Sequence, residues 1–213
     1  MRRRAFGPAL WAGGPDVAIA RRPEERQPLG DVDLVRMRRR HLKRVMAIES
    51  VVYPRPWSLT LFLSEIAQRS TRTYLVARHD GYVVGYAGMM FTGREAHVTN
   101  IAVDPDYHTR RIGTRMLLAL VTEAIARGAE ALSLEVRVSN IGAQNLYSKF
   151  GFETTSVRKG YYVETKEDAY VMLVDDARST DYRLRLQKLR AELDAELGEG
   201  FRLEPGGRSE RNG

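Results

Sequence analysis

The chain predicts a mixed α/β sheet with helices on its faces, and three observations carry that prediction. Short apolar runs rich in Val, Tyr and Thr lie between longer segments whose apolar residues recur at helical spacing. Turn signals such as Asp80-Gly81 and Asp104-Pro105 separate those segments. Helices and strands interleave along the chain: two helices, three strands, a helix, a strand, a helix and two strands. A chain in that order buries its apolar faces by laying helices on a sheet.

The elements follow in order. Residues 1–30 are rich in Arg, Pro and Gly without periodicity, which reads as a mobile basic arm. From about Val32, "LVRMRRRHLKRVMAIESVVY" sets Leu42, Val45, Met46 and Ile48 to Val52 at helical spacing, a first amphipathic helix. In "WSLTLFLSEIAQ", Ser58 is placed to cap a second helix that carries Leu59, Phe62, Leu63 and Ile66. "TYLVARHD" and "YVVGYAGMMF" then read as strands joined in a hairpin at Asp80-Gly81, and "AHVTNIAV" as a third strand ended by Asp104-Pro105. A helix follows from near Gly113 or Thr114, with Met116, Leu117, Leu120, Val121, Ala124 and Ile125 inward and Gly128 as its stop. "ALSLEVRV" is a buried strand. "SNIGAQNLYSKFG" is a short helix opened by Ser139 or Asn140 and closed by Gly151, and two strands surround "FETTSVRK" and "AYVMLV".

Residues 31–176 thus form one folded unit, a size that closes a single core. Residues 177–213 add an amphipathic helix and a frayed tail. Tyr182, Leu186, Leu189, Leu193 and Leu197 make one stripe, opened by Thr180 or Asp181 and stopped by Gly198. The stripe either docks on its own domain or pairs with a partner.

Composition narrows the function. The formal net charge of +7 favours a polyanionic partner, whether nucleic acid or a smaller phosphorylated molecule. The absence of cysteine removes disulfides, thiolate nucleophiles and cysteine metal sites, and fits a cytoplasmic setting. No apolar run approaches the roughly 18 residues of a membrane span, so no membrane partner is expected. His41, His79, His97 and His108 lack ligand spacing, so no metal is expected and all four read as solvated or structural. There is no Gly-x-Ser-x-Gly, Walker or Rossmann motif.

Three segments can carry chemistry. In "DPDYHTRRIGTR", arginines stand where a helix presents its unpaired N–H groups, a geometry that binds phosphate; a solvated charged turn is the alternative. Gly113 allows close approach, and Arg110, Arg111 and Arg115 can neutralise a diphosphate. In "LSLEVRVSN", alternation sets Leu132, Leu134, Val136 and Val138 on one face and Ser133, Glu135 and Arg137 on the other. Glu135, at a surface lined by Thr99 and Ile101, is a proton acceptor or else the partner of Arg137. In "AQNLYSKFGF", Ile141, Leu146 and Phe150 anchor a helix that carries Tyr147, as a reaching phenol or as core.

Together "YPRPWS", "NIAVDPDY", "LEVRVSN", "AQNLYSKFGF" and "VRKGYYVETKEDAYVM", in this order, make the chain from about Val32 to Asp175 resemble the GNAT superfamily of acetyl-CoA-dependent N-acetyltransferases. More narrowly it resembles the RimI-type ribosomal-protein alanine N-acetyltransferases. The resemblance implies a GNAT fold, a mixed, mostly antiparallel sheet splayed at the acetyl-CoA site with helices on both faces. It implies acetyl-CoA as cosubstrate, its pantetheine amides paired with the backbone of Ile101, Ala102 and Val103. It implies a pyrophosphate held by Thr109, Arg110, Arg111, Ile112, Gly113 and Thr114, and Asn140 bonded to the pantetheine arm. Glu135 would be the general base, through water, and Tyr147 the general acid. Trp57, Tyr161 and Tyr162 fall at substrate-side positions, for an acceptor that is a protein N-terminus, here a ribosomal one starting with alanine.

An α-amine of pKa near 7.8 is roughly a quarter neutral at pH 7.4, against about a thousandth for lysine near 10.4, so a modest base suffices for N-termini. Two other readings stand beside this one: a GNAT acting on lysine or a small amine, and a basic RNA- or ribosome-binding protein on a GNAT scaffold that uses residues 1–30. The chain departs from the family at His108-Thr109-Arg110-Arg111-Ile112-Gly113, where the usual loop runs Gln/Arg-x-x-Gly-x-Gly/Ala. Arg111 stands where the first glycine is expected. If that position requires φ > 0, Arg111 is strained and cofactor binding weakens; if it is right-handed, its N–H points at the phosphate and its guanidinium adds attraction, and the second case is the expectation.

Overall fold

The computed structural model describes Leu29 and residues 32–197; the expectations for the arm before Leu29, and for Gly198 and the tail, lie outside the described residues. The elements are β1 (Val32–Arg36), α1 (Leu42–Val52), α2 (Leu59–Ala67), β2 (Arg72–His79), β3 (Tyr82–Thr92), β4 (Glu95–Val103), α3 (Ile112–Ala126), β5 (Ala131–Arg137), α4 (Ile141–Lys149), β6 (Glu153–Tyr162), β7 (Glu167–Val174) and α5 (Thr180–Leu197). The strands form one sheet in the order β1-β2-β3-β4-β5-β7-β6. Only β4 and β5 run parallel, as the crossover through α3 requires.

Local chemistry explains most boundaries. Ser58 caps α2 by accepting from the Leu61 N–H at 3.2 Å, and Asn140 caps α4 by accepting from the Ala143 N–H at 3.1 Å. Gly128 and Gly151 take the left-handed conformation that ends α3 and α4. The strand β1 corrects the expected order, which began with a helix. Val32 and Leu34 point inward and pair across from His79 and Ala77, at the sheet edge. The cap of α5 is Ser179, whose Oγ accepts from the Tyr182 N–H at 3.2 Å, rather than Thr180 or Asp181.

Two clusters fill the two faces. On one, α1 and α2 bury Leu42, Val45, Ile48 and Phe62 against Tyr74, Val76 and Tyr86. On the other, α3 lies on the sheet, and Tyr182, Leu186 and Leu193 of α5 join its cluster. The leucine stripe therefore docks on its own domain. This second layer explains why Leu118 and Ala119, on the far side of α3 from its predicted stripe, are buried as well.

The sheet parts between its two parallel strands. β4 and β5 pair only over Glu95–Ala131, Ala96–Leu132 and His97–Ser133. β3 and β4 stay paired as far as Val103, but the ladder shifts between Gly88–Asn100 and Met89–Val98, leaving Thr99 as an extra residue. Such a bulge bends its strand, and it falls just beyond the last β4–β5 pair. It packs so tightly on Gly88 that a Cβ there would stand 2.3 Å from Tyr74 Cε1 and 2.4 Å from Asn100 Oδ1. Glycine at position 88 is what lets β3 follow the bend.

Candidate active site

The gap opens where β4 turns away, and Ile101, Ala102 and Val103 line its β4 side. The Asp104 N–H donates to the Val84 carbonyl at 2.9 Å, so by alternation Ala102 bonds toward β3 while Ile101 and Val103 present their backbone to the gap. Side chains reach both carbonyls. Tyr53 Oη donates to the Ile101 oxygen at 3.1 Å, and His108 Nε2 lies 2.8 Å from the Val103 oxygen. A carbonyl has two lone pairs, so each can accept a second bond. Tyr53 and His108 were not singled out by sequence; their only signal was position, one in "YPRPWS" and one heading the arginine loop.

Across the gap, Glu135 lies on β5 and is nearly buried. Its Oε2 is 3.1 Å from His97 Nε2 and its Oε1 is 3.2 Å from an Arg158 guanidinium nitrogen. The partner is thus not Arg137, which bonds Glu164 and Glu167 and lies 3.7 Å from the centroid of the Tyr162 ring. Burial pushes the Glu135 carboxyl up, but the hydrogen bond and charge of His97, with the charge of Arg158, outweigh it and hold the carboxyl below its ordinary range. His97 is the residue that sequence reading missed here. It was grouped with solvated or structural histidines, yet its Nδ1 lies 2.9 Å from Ser133 Oγ and its Nε2 meets Glu135. The signal lay in the pairing of His97 with Ser133 across strands that are 36 residues apart in sequence.

Tyr147 is carried by α4, which Gln144 ties to the end of β5 by donating to the carbonyls of Arg137 and Val138 at 2.9 Å. The Tyr147 ring packs edge-on to Phe152 with centroids 5.9 Å apart, and the residue is only 3% exposed. This burial and ring packing fit the core reading of the side chain.

The arginine loop differs from expectation. Arg111 has φ 61° and ψ 9°, so it is left-handed, as the absent glycine would be, and Thr109 shares that region at φ 64°. A Cβ crowds the following carbonyl in this conformation, so both residues store strain. Nor does the Arg111 guanidinium point along the loop: it forks onto Glu196 of α5, at 2.7 Å and 2.6 Å. Arg115 is also corrected. It is fully buried and donates to the Leu29 carbonyl, because a residue one turn into α3 faces the core. Arg110 lies over the Tyr107 ring, 5.7 Å from its centroid.

What remains at the start of α3 fits a phosphate. Arg111, the N-cap, offers no side-chain acceptor to the first N–H groups, at Ile112, Gly113 and Thr114. Beside them a cavity of about 310 Å³ is lined by Arg111, Thr114 and Lys149 and by Arg185, Lys188, Glu192 and Glu196 along one face of α5. Asn140 Oδ1 is engaged as the α4 cap, which leaves its amide nitrogen for a ligand.

The substrate-side aromatics divide. Trp57 is 4% exposed and packs on Phe62 and Tyr74, with ring centroids 5.1 and 6.4 Å away, so it is core rather than groove wall. Tyr162 is buried under the Arg137 guanidinium, and Tyr161 is the half-buried member of the pair. Among the described residues no group of three or more His, Asp or Glu could hold a metal ion, and no helix is long and apolar enough to cross a membrane.

Known proteins resemble the chain in sequence and fold. Residues 42–152 match the model of the acetyltransferase (GNAT) family. A putative [ribosomal protein bS18]-alanine N-acetyltransferase of Bacillus subtilis is 38% identical over 138 residues, 65% of this chain and 91% of that protein. The N-alpha-acetyltransferase RimI of Mycobacterium tuberculosis is 40% identical over 124 residues, 56% of this chain and 76% of that one. The crystal structure of the ribosomal-protein-S18-alanine N-acetyltransferase from Escherichia coli superposes with a TM-score of 0.64 at 30% identity, covering 71% of this chain and 97% of that chain.

Proposed function

The chain belongs to the acetyltransferase (GNAT) family, and from that premise we propose that it acetylates the N-terminal α-amine of a ribosomal protein, bS18 beginning with alanine, in the cytoplasm. The observation that carries the reading is the parted sheet, with the β4 backbone on one wall and an ionised Glu135 on the other. The relatives named for bS18 and for N-alpha acetylation support the acceptor.

Acetyl-CoA supplies an activated thioester carbonyl. The N–H groups of Ile101 and Val103 are placed to bind its amides, and Ile112, Gly113 and Thr114 its pyrophosphate. Lys149, Arg185 and Lys188 add the positive field that the loop arginines were expected to give. Asn140 contributes its amide nitrogen. When the amine attacks the carbonyl, a C–N bond forms, the C–S bond breaks, and the amine must lose a proton. Glu135 takes that proton through water, and Tyr147 donates one to the departing thiolate; each transfer is typically worth about 10² to 10⁴ in rate. His97 and Arg158 keep Glu135 ionised before the amine arrives. A carboxylate held this low is a weak base, which suffices for an α-amine that is already substantially neutral. The half-buried Tyr161 is offered as an acceptor contact; Trp57 and Tyr162, both buried, are not.

The test is acetyl transfer from radiolabelled acetyl-CoA to a peptide with the bS18 N-terminus, compared with the same peptide blocked at its α-amine and carrying a free lysine. Transfer to the first alone is expected. Equal transfer to the blocked peptide would move the assignment to lysine.

A further inference from the structure

The C-terminal helix α5 lies beyond the residues matched to the family, yet it lines the cavity beside the cofactor loop and is joined to that loop by an ion pair. Glu196 accepts from Arg111 Nε and from a terminal guanidinium nitrogen, at 2.7 and 2.6 Å. This is the planar two-point pairing that fixes an arginine in direction as well as distance. Glu196 stands three residues past Leu193, which is buried in the α3 cluster with Tyr182 and Leu186, so the carboxylate sits on an anchored helix. Arg111 itself is left-handed at the first step into α3. Glycine adopts that conformation at no steric cost, whereas arginine needs something else to hold it.

We propose that Glu196 is a positioning residue for acetyl-CoA: by gripping Arg111 it holds a non-glycine loop in the left-handed turn that aims the α3 N–H groups at the pyrophosphate. An ion pair from α5 thus does here what the missing Cβ of a glycine does in the family loop. The inference rests on the reading of residues 108–114 as the pyrophosphate loop. It also makes α5 part of the cofactor site without contacting the reacting atoms. The opposite role is a competitor, with Glu196 occupying Arg111 at the expense of the phosphates, and the sign of one measurement separates the two.

The test uses the full chain with Glu196→Ala, Arg111→Gly and the double variant, and measures the Kd of CoA by calorimetry, the KM for acetyl-CoA, kcat and Tm. Glu196→Ala is expected to raise both Kd and KM roughly three- to five-fold, the scale of a well-formed exposed ion pair, with kcat and Tm little changed. The same substitution made in the Arg111→Gly background should have less than about a two-fold effect, because glycine needs no grip. A lower Kd in Glu196→Ala would overturn the proposal in favour of the competitor, and an unchanged Kd would overturn it outright. An undiminished effect in the Arg111→Gly background would show that Glu196 does not act through Arg111. If the unaltered chain binds no CoA, the reading of the loop fails, an outcome distinct from each of these.

Discussion

Glu49→Gln should stabilise the protein, and by an amount that depends on pH. Glu49 lies on α1 with 0% exposure; its carboxyl accepts from the Trp57 N–H at 2.8 Å and meets the Tyr86 hydroxyl. Burial pushes this carboxyl up from 4.5 to about 8, against the smaller lowering effect of the Trp57 N–H. A carboxyl that is harder to ionise when folded favours the folded state fully below about 4.5, and loses that advantage as pH climbs towards about 8. At pH 7 the difference spans about 2.5 pH units, which at 1.4 kcal/mol each comes to about 3.5 kcal/mol. Glutamine keeps an acceptor for Trp57 and offers an N–H to Tyr86, and it never ionises. Thermal unfolding of both proteins between pH 4.5 and 8.5 should show nearly equal Tm at the acid end. At pH 7 the variant should be higher by roughly 7–14 °C, on the usual scale for a chain of this size. A difference that does not vary with pH would refute the buried neutral carboxyl, as would a variant less stable than the parent at pH 8.

Three further outcomes are expected. Tyr147→Phe should lower kcat about 10²-fold while leaving the KM for acetyl-CoA and the Tm near their parent values, as steady-state kinetics and a melt would show. With Glu135 held below the ordinary carboxylate range, kcat/KM for an α-amine peptide should rise with pH up to about 8, following the amine and not the carboxylate. An acid limb below 5 would point to Glu135 instead. Leu193→Ala should cost roughly 2–5 kcal/mol in urea unfolding, because the residue is buried between α5 and α3. It should also raise the KM for acetyl-CoA, since it anchors the turn that carries Glu196.

Periodicity made most of the fold legible. The α3 stripe, the alternation around Glu135 and the Asp80-Gly81 hairpin all stand where spacing put them, because each depends on neighbours close in sequence. β1 was not legible: five residues with two inward side chains give little alternation, and the basic helix pattern follows at once. His97 escaped for a different reason. Its partners Ser133 and Glu135 come from another strand, and only the short β4–β5 ladder brings them together. The handedness of Arg111 had one signal, the glycine expected at its position, but an arginine there argues locally for the right-handed region because its Cβ is crowded in the left-handed one. Its ion pair joins residues 85 apart in sequence. Trp57 and Tyr162 show the reverse error, in which motif position suggested a groove but burial made them core.

The parting of β4 from β5 also gives the sheet two inner edges besides its outer ones at β1 and β6. Exposed strand edges invite other chains to add on. Here the two inner edges face each other across a crevice, and on the β4 side Tyr53 and His108 already engage the carbonyls that an incoming strand would need. The β4 rim therefore keeps the N–H groups of Ile101 and Val103 for a ligand while each of their carbonyls has one of its two lone pairs already engaged. A thin chain bearing carbonyls can lie along it, whereas a polypeptide seeking a reciprocal ladder meets an edge already half taken.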